Sequence, residues 1–381
     1  MSIGMHPSGG TNSANSANSA NSANSANSAN GFAGFAGWIT NPLLAAALTL
    51  SRSETVADHD WVTEQQTTTT KLPDVGLPHY ILRSDPTTRL HLMYSELLEG
   101  ISVERRASTE WVAVMADAKS FFVLNRPDAT VVHAQRGLVF LSADKRPDRS
   151  AEILTQVQPQ YAYWASVCHL DPDRTPRTIE LTYAALHFAM LVTQRIKIAL
   201  AVPRPLENTP LLQPMLQTPQ YFAYPSGHAT EAYMFAFVMQ RLLQDAPHAR
   251  AAAFGPPLRV LAARIANNRV VAGLHYPVDA AAGYALALAL SEYFLASCGA
   301  VTHVQPRALN AQEFRPTAEA DPASVGTAAD NPWAKTNVPP LRDTDMSVSV
   351  RIKPLLHTMW NAALTEWRQS STMQPGLGLP T

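Results

Sequence analysis

The chain has 381 residues, with Lys+Arg 29 against Asp+Glu 30 and a formal charge of −1. That balance gives no electrostatic reason to expect a nucleic acid or an anionic membrane surface as partner. Hydrophobic residues make up 46% and charged residues only 15%, a composition that points to much buried helix. Two cysteines, Cys168 and Cys298, are too few for a disulfide framework and lack metal-ligand spacing, so they read as buried free thiols.

In chain order, residues 11–30 repeat Asn-Ser-Ala and residues 31–36 double Gly-Phe-Ala. A polar three-residue repeat has no apolar face to offset its ordering entropy, so residues 1–50 are expected to form a low-complexity disordered tail. The stretch Trp38 to Leu50 is apolar, but no Lys or Arg precedes Arg52. The positive start of a secretory signal is missing, and a cytoplasmic location is expected. Residues 51–87 are polar and Thr-rich and read as an extended lead-in, with Asp58, His59 and Asp60 as part of a solvated linker.

From Thr88 the pattern turns helical. Leu90, Met93, Leu97 and Leu98 fall at helical spacing, as do Trp111, Val114, Met115 and Ala118. The segment Val131 to Leu141 reads as a short extended pair around Gly137. Helices are expected again from Ser150 and from Thr175-Pro176, where a capping residue precedes a proline at the first helical position. Pro203 should stop the latter near Ala201. Further helices are expected from Ser226 to Gln244, Leu258 to Val271 and Pro277 to Ala296, then a loop-rich segment over 302–381 with one helix from Pro354 to Trp367. No strand-rich region is expected. The fold class is all-α, a helical bundle over residues 88–301 with extended, partly disordered termini. The most apolar stretches, Leu181 to Val202 with Arg195 and Lys197, and Ala280 to Ala300 with Glu292, fall short of roughly 18–20 uninterrupted apolar residues, so no transmembrane segment is expected.

Three short segments carry chemistry. Lys197 lies on a helix whose face Ile179, Tyr183, Leu186, Met190 and Thr193 is expected to point inward. An ammonium there either needs an anionic partner or snorkels to the surface. Arg204, between Pro203 and Pro205, can present a rigid guanidinium fork to a phosphate, or be a surface arginine in a proline-rich loop. Ser226-Gly227-His228 opens a helix, where the cap, the close backbone approach and the helix dipole make an anion site beside His228. The plainer alternative is a helix start with a surface histidine. Arg269 falls in the last turns of a helix that Gly273 should terminate, and His275 and Asp279 follow across Pro277. The carboxylate can accept a hydrogen bond from one ring nitrogen and leave the other free, or the pair can be structural.

Taken together, Lys197-x6-Arg204-Pro205, Pro225-Ser226-Gly227-His228 and Asn268-Arg269-x5-His275-x3-Asp279 resemble the signature of the type 2 phosphatidic acid phosphatase and vanadium haloperoxidase superfamily. Asn268 departs from it, standing where the family has Ser. The resemblance implies that Lys197, Arg204 and Arg269 hold the oxygens of an oxyanion, helped by Ser226 and the Gly227 N–H. It implies His275 as nucleophile, Asp279 as the group orienting its ring, and His228 as the acid that protonates the leaving alcohol. The implied activity is hydrolysis of a small phosphorylated or amphiphilic substrate through a phosphohistidine, with no metal or other cofactor. The alternative is a haloperoxidase in which vanadate is the cofactor and His275 its ligand. A non-catalytic phosphate-binding module is the third reading.

Overall fold

The structure, a computed structural model, describes residues 74–106, 110–157, 160–246, 251–314, 342–343 and 347–369, with positions 46 and 50 besides. The Asn-Ser-Ala repeat, the Asp58-His59-Asp60 group and most of the 51–87 lead-in lie outside the described residues, as does the chain beyond 369. Two compact units divide the chain. The first, Met1–Thr88 with Pro172–Arg174, includes a 3-10 helix at Pro78–Arg83. The second, Arg89–Asp171 with Thr175–Thr381, contains all three motifs.

The elements run α1 (Pro86–Leu98), β1 (Ile101–Arg105), β2 (Trp111–Ala116), β3 (Lys119–Asn125), α2 (Ala129–Ser142), α3 (Arg146–Thr155), α4 (Tyr161–Cys168) and α5 (Pro176–Leu200). They continue with α6 (Pro205–Asn208), α7 (Gly227–Asp245), α8 (Gly255–Val271), α9 (Pro277–Ser297), β4 (Arg307–Leu309), β5 (Arg342–Asp343) and α10 (Pro354–Gln369). The fold is mainly α-helical. At its centre α7 packs against α5, α8 and α9. Helix α9 is apolar nearly all round and buried on every face, as a helix enclosed by others must be. Its alanines and Gly283 let α7 come close: a Cβ added at Gly283 would lie 2.8 Å from the Ser226 carbonyl oxygen and 2.7 Å from Ala229 Cβ. Cys168 and Cys298 are buried free thiols.

Two local expectations are overturned. Trp111, Val114 and Met115 belong to a strand, and β1 to β5 form one sheet in sequence order, antiparallel except for the parallel β3–β4 pair. The spacing misled because β2 buries residues on both faces, Val112 and Val114 on one and Ala113 on the other. A run buried on both sides carries no period-2 signal. The hairpin turns at Asp117 and Ala118, both at positive φ (46° and 64°), in the conformation a two-residue turn demands. Conversely, the pair expected around Gly137 is helix α2, whose start Asp128 caps by accepting from the Val131 N–H at 2.8 Å.

By length and composition alone, two helical segments are long and apolar enough to cross a membrane, Pro176–Asn208 and Pro277–Ser297. Within the protein, 56% and 83% of their apolar windows are buried, and buried core helices pass the same test.

Thr175 precedes α5 as expected but does not cap it; its hydroxyl donates to the Asp171 carbonyl. The cap comes from α10. Glu366 accepts from the N–H groups of Arg177 (2.6 Å) and Thr178 (2.9 Å) and from the Thr178 hydroxyl, while Trp367 Nε1 donates to that hydroxyl. At the other end of α10, Glu96 of α1 accepts from the N–H groups of Leu355 and Leu356. Trp360 and Trp367 are buried, so the C-terminal helix is part of the core. Glu366→Ala should therefore lower stability by about 1–2 kcal/mol, read as a shifted denaturant midpoint with an unchanged slope.

Candidate functional site

The three motifs converge on one buried spot because backbone hydrogen bonds tie their segments together. The Ser226 N–H donates to the Asp279 carbonyl at 2.9 Å, joining the start of α7 to the start of α9. The Ala223 N–H donates to the Val202 carbonyl at 2.9 Å, fastening the approach to α7 onto the end of α5. Gly273, at φ 77°, ends α8 as expected, and the Leu274 N–H returns to the Arg269 carbonyl. That left-handed reversal turns the chain so that His275 follows within a few residues of Arg269.

His275 is 4% exposed. Its Nδ1 lies 3.0 Å from Asp279 Oδ2, which also accepts from the Tyr276 N–H at 2.9 Å. Its Nε2 lies 3.2 Å from Arg204 Nη1. A guanidinium can only donate, so Nε2 carries a lone pair and the proton sits on Nδ1, facing the carboxylate. Burial, then the nearby Arg204 and Lys197, hold this histidine well below its ordinary pKa, so it is neutral. Burial raises Asp279, against the Tyr276 N–H and the charges of Lys197 and Arg204; its Oδ1 has no partner among the described residues.

The cations are equally buried. Lys197, Arg204 and Arg269 are each 1% exposed, and burial lowers the pKa of all three, Arg269 to about 10. Lys197 Nζ donates to the carbonyls of Phe222 (2.8 Å) and Ala223 (2.7 Å). Arg204 donates to the carbonyls of Tyr221 (3.0 Å) and Leu274 (3.1 Å). The Tyr221 ring lies over both, 5.4 Å from Lys197 Nζ and 5.1 Å from the Arg204 guanidinium carbon. Arg269 differs: Nη2 donates to Gln156 Oε1 (3.1 Å) and the Ile153 carbonyl (3.2 Å), while Nε and Nη1 are buried without a partner among the described residues. Two unsatisfied guanidinium donors are costly unless an acceptor completes them.

Ser226 caps α7, its Oγ accepting from the Ala229 N–H at 3.4 Å, and Gly227 is the first helical residue. Its N–H has no acceptor within the helix, the condition for an anion site. His228 follows, with Nε2 3.0 Å from the Gln156 carbonyl. A carbonyl only accepts, so Nε2 holds the proton and Nδ1 is the nitrogen left for chemistry. Burial first, and Arg269 second, lower its pKa to about 4.

Three neighbours escaped the sequence reading. Gln156, at the end of α3, is fully buried and joins His228, Arg269 and Asn268. Nothing in its sequence context marks it. Glu231 stands one turn after His228 on the same helix face, a spacing that could have been read, and burial raises its pKa to about 7. Tyr221, over the two cations, is the third. Asn268 does not face the anion site: its Nδ2 donates to Glu152 and Gln156, both at 3.0 Å, and its Oδ1 accepts from Arg149. It thus positions Gln156, and through it Arg269. Met190, expected to point inward, is 37% exposed, whereas Thr193 and Lys197 are buried.

Three cations, a neutral histidine oriented by a carboxylate, and a helix N-terminus meet at one buried point of a mainly helical scaffold. Residues 180–299 match the family model of the PAP2 superfamily, and all three motifs fall within that span. That span is similar to domains of the PAP2 superfamily, which is of phosphatase and haloperoxidase type. No curated protein matches the chain.

Two outcomes test this geometry. Gly283→Ala should cost about 1–3 kcal/mol through overpacking, and should lower anion affinity because Ser226 must move away from the new methyl; denaturant unfolding and sulfate titration would measure both. Sulfate does not itself titrate near neutral pH. Bound beside Arg269, it would offset the cation that helps depress His228 and would raise the pKa of His228, and of Glu231 and Asp279, so the complex holds more protons than the free protein. Sulfate binding should therefore tighten as pH falls through 7 toward about 4. Calorimetry in buffers of different ionisation heat should register proton uptake, and proton release would contradict the site.

Proposed function

We propose that this protein is a phosphatase that hydrolyses phosphate monoesters through a phosphohistidine on His275, with no divalent metal in the reaction. The observation that carries the reading is the unprotonated Nε2 of His275, buried among three cations and held by Asp279 on the opposite nitrogen. The phosphoryl group would take the Nε and Nη1 donors of Arg269 and the Gly227 N–H, and draw Lys197 and Arg204 from their carbonyl partners. The His275 Nε2 lone pair then forms the bond to phosphorus as the ester P–O bond breaks. His228, protonated once the phosphate charge offsets Arg269, passes a proton to the departing oxygen. In the second step a water gives its proton to His228 and attacks phosphorus, releasing phosphate and restoring the neutral His275. Cations preorganised in a dry site stabilise the charge of such a transfer without further rearrangement.

A second reading rests on the same cage and on the aromatic Tyr221 over its two cations. Vanadate has the charge and shape of phosphate, and the unsatisfied donors of Arg269 fit it equally. Lys197, Arg204, Ser226, Gly227, Arg269 and His275 would hold it, and it would supply peroxide activation for halide oxidation. The phosphatase is preferred because His275 presents an Nε2 lone pair for its first step, with Asp279 on the opposite nitrogen.

Hydrolysis of p-nitrophenyl phosphate without added metal, inhibited by vanadate and unaccompanied by dye bromination with peroxide and bromide, is the expected result. Vanadate-dependent bromination with negligible hydrolysis would make this a haloperoxidase. His275→Ala should abolish turnover. His228→Ala should lower kcat by ~10²–10⁴-fold while leaving sulfate bound, and an unchanged kcat would remove His228 from the mechanism.

A further inference from the structure

A cavity of about 200 Å³ adjoins the oxyanion site, with His228 and Glu231 in its wall. Tyr161, Trp164, Tyr183 and His187 give the wall four rings beside the aliphatic Val157 and Leu186, with Met190 at the rim. The rings are held in place by other rings. Tyr161 and Tyr183 stack with centroids 4.7 Å apart and 10° between planes, and Trp164 stacks on Phe235 at 4.0 Å.

Size narrows the occupant further. An apolar cavity of about 150 Å³ holds benzene, so about 200 Å³ suits one ring with a small substituent. A long extended alkyl chain would overrun that space. Fixed aromatic walls favour a flat group through ring stacking.

We propose that this cavity takes the leaving group, and that the substrate is a phosphate monoester of a single-ring alcohol. The assignment rests on the phosphatase reading above. The ester oxygen then lies at His228, which is shared by cavity and oxyanion site. As the His275 Nε2–P bond forms, the P–O bond breaks, and the His228 proton passes to the ring alcohol, which departs through the cavity.

The test compares 4-hydroxybenzyl phosphate with octyl phosphate, whose leaving alcohols are of similar acidity, in the wild-type chain and in Met190→Trp. Met190 is at the rim and partly exposed, so the larger side chain fills the space without entering the core. The wild type should favour the ring ester by about tenfold or more in kcat/KM. Met190→Trp should erase that preference by raising KM for the ring ester more than for octyl phosphate, with vanadate inhibition retained. Calorimetric binding of 4-hydroxybenzyl alcohol, present in the wild type and lost in Met190→Trp, reads the cavity without turnover. Equal or reversed preference in the wild type, or no binding of the alcohol, overturns the cavity assignment. Alcohol binding without hydrolysis of either ester would overturn the phosphatase reading and leave the cavity assignment standing.

Discussion

Three buried positive charges must be held where water cannot reach them, and much of the site follows from that requirement. Lys197, Arg204 and Arg269 are almost wholly buried, and an unpaired ion in such a place is strongly disfavoured. Without an anion the protein answers with its own acceptors. The carbonyls of residues 221–223 and 274 take Lys197 and Arg204, and Gln156 and Ile153 take one end of Arg269. Burial first, and then the same cations, keep His275 and His228 neutral. The bare lone pair on His275 Nε2 and the unsatisfied donors of Arg269 are therefore two results of one buried electrostatic arrangement.

Holding the cations demands close and rigid packing. Gly283 lets the start of α7 lie against α9, and the Ser226 N–H to Asp279 carbonyl bond fixes one motif against another. Support also comes from beyond the segment that matches the PAP2 model. Arg149, Glu152 and Gln156 on and just after α3 meet Asn268, so the residue that departs from the family pattern orients the acceptor of Arg269. An amide suits that task because it donates and accepts at once. Farther off, Glu96 of α1 caps α10 and Glu366 of α10 caps α5, clamping the long helix that carries Lys197.

The helices near the site were legible because strong local signals mark their ends. Pro176, Ser226 and Pro277 start α5, α7 and α9 as read, and Gly273 ends α8. The sheet was not legible. Its second strand is buried on both faces, and its fourth and fifth strands lie far along the chain in a segment that reads as loop. The α5 cap was misassigned to Thr175 because a neighbouring hydroxyl is the usual source, whereas the carboxylate that serves lies 191 positions away, at 366 against 175.

Residue identity and spacing determined which side chains could form an oxyanion site, since three cations, two histidines, a carboxylate and a helix-opening Ser-Gly carry their chemistry in the sequence itself. Tertiary structure decided how they are set. It made His275 neutral with the lone pair on Nε2, gave Nε2 of His228 to the Gln156 carbonyl, left two donors of Arg269 unsatisfied, and placed an aromatic cavity beside them. Protonation, tautomer and cavity shape depend on desolvation and on neighbours distant in the chain. Such quantities exist only once the chain has folded and expelled its water.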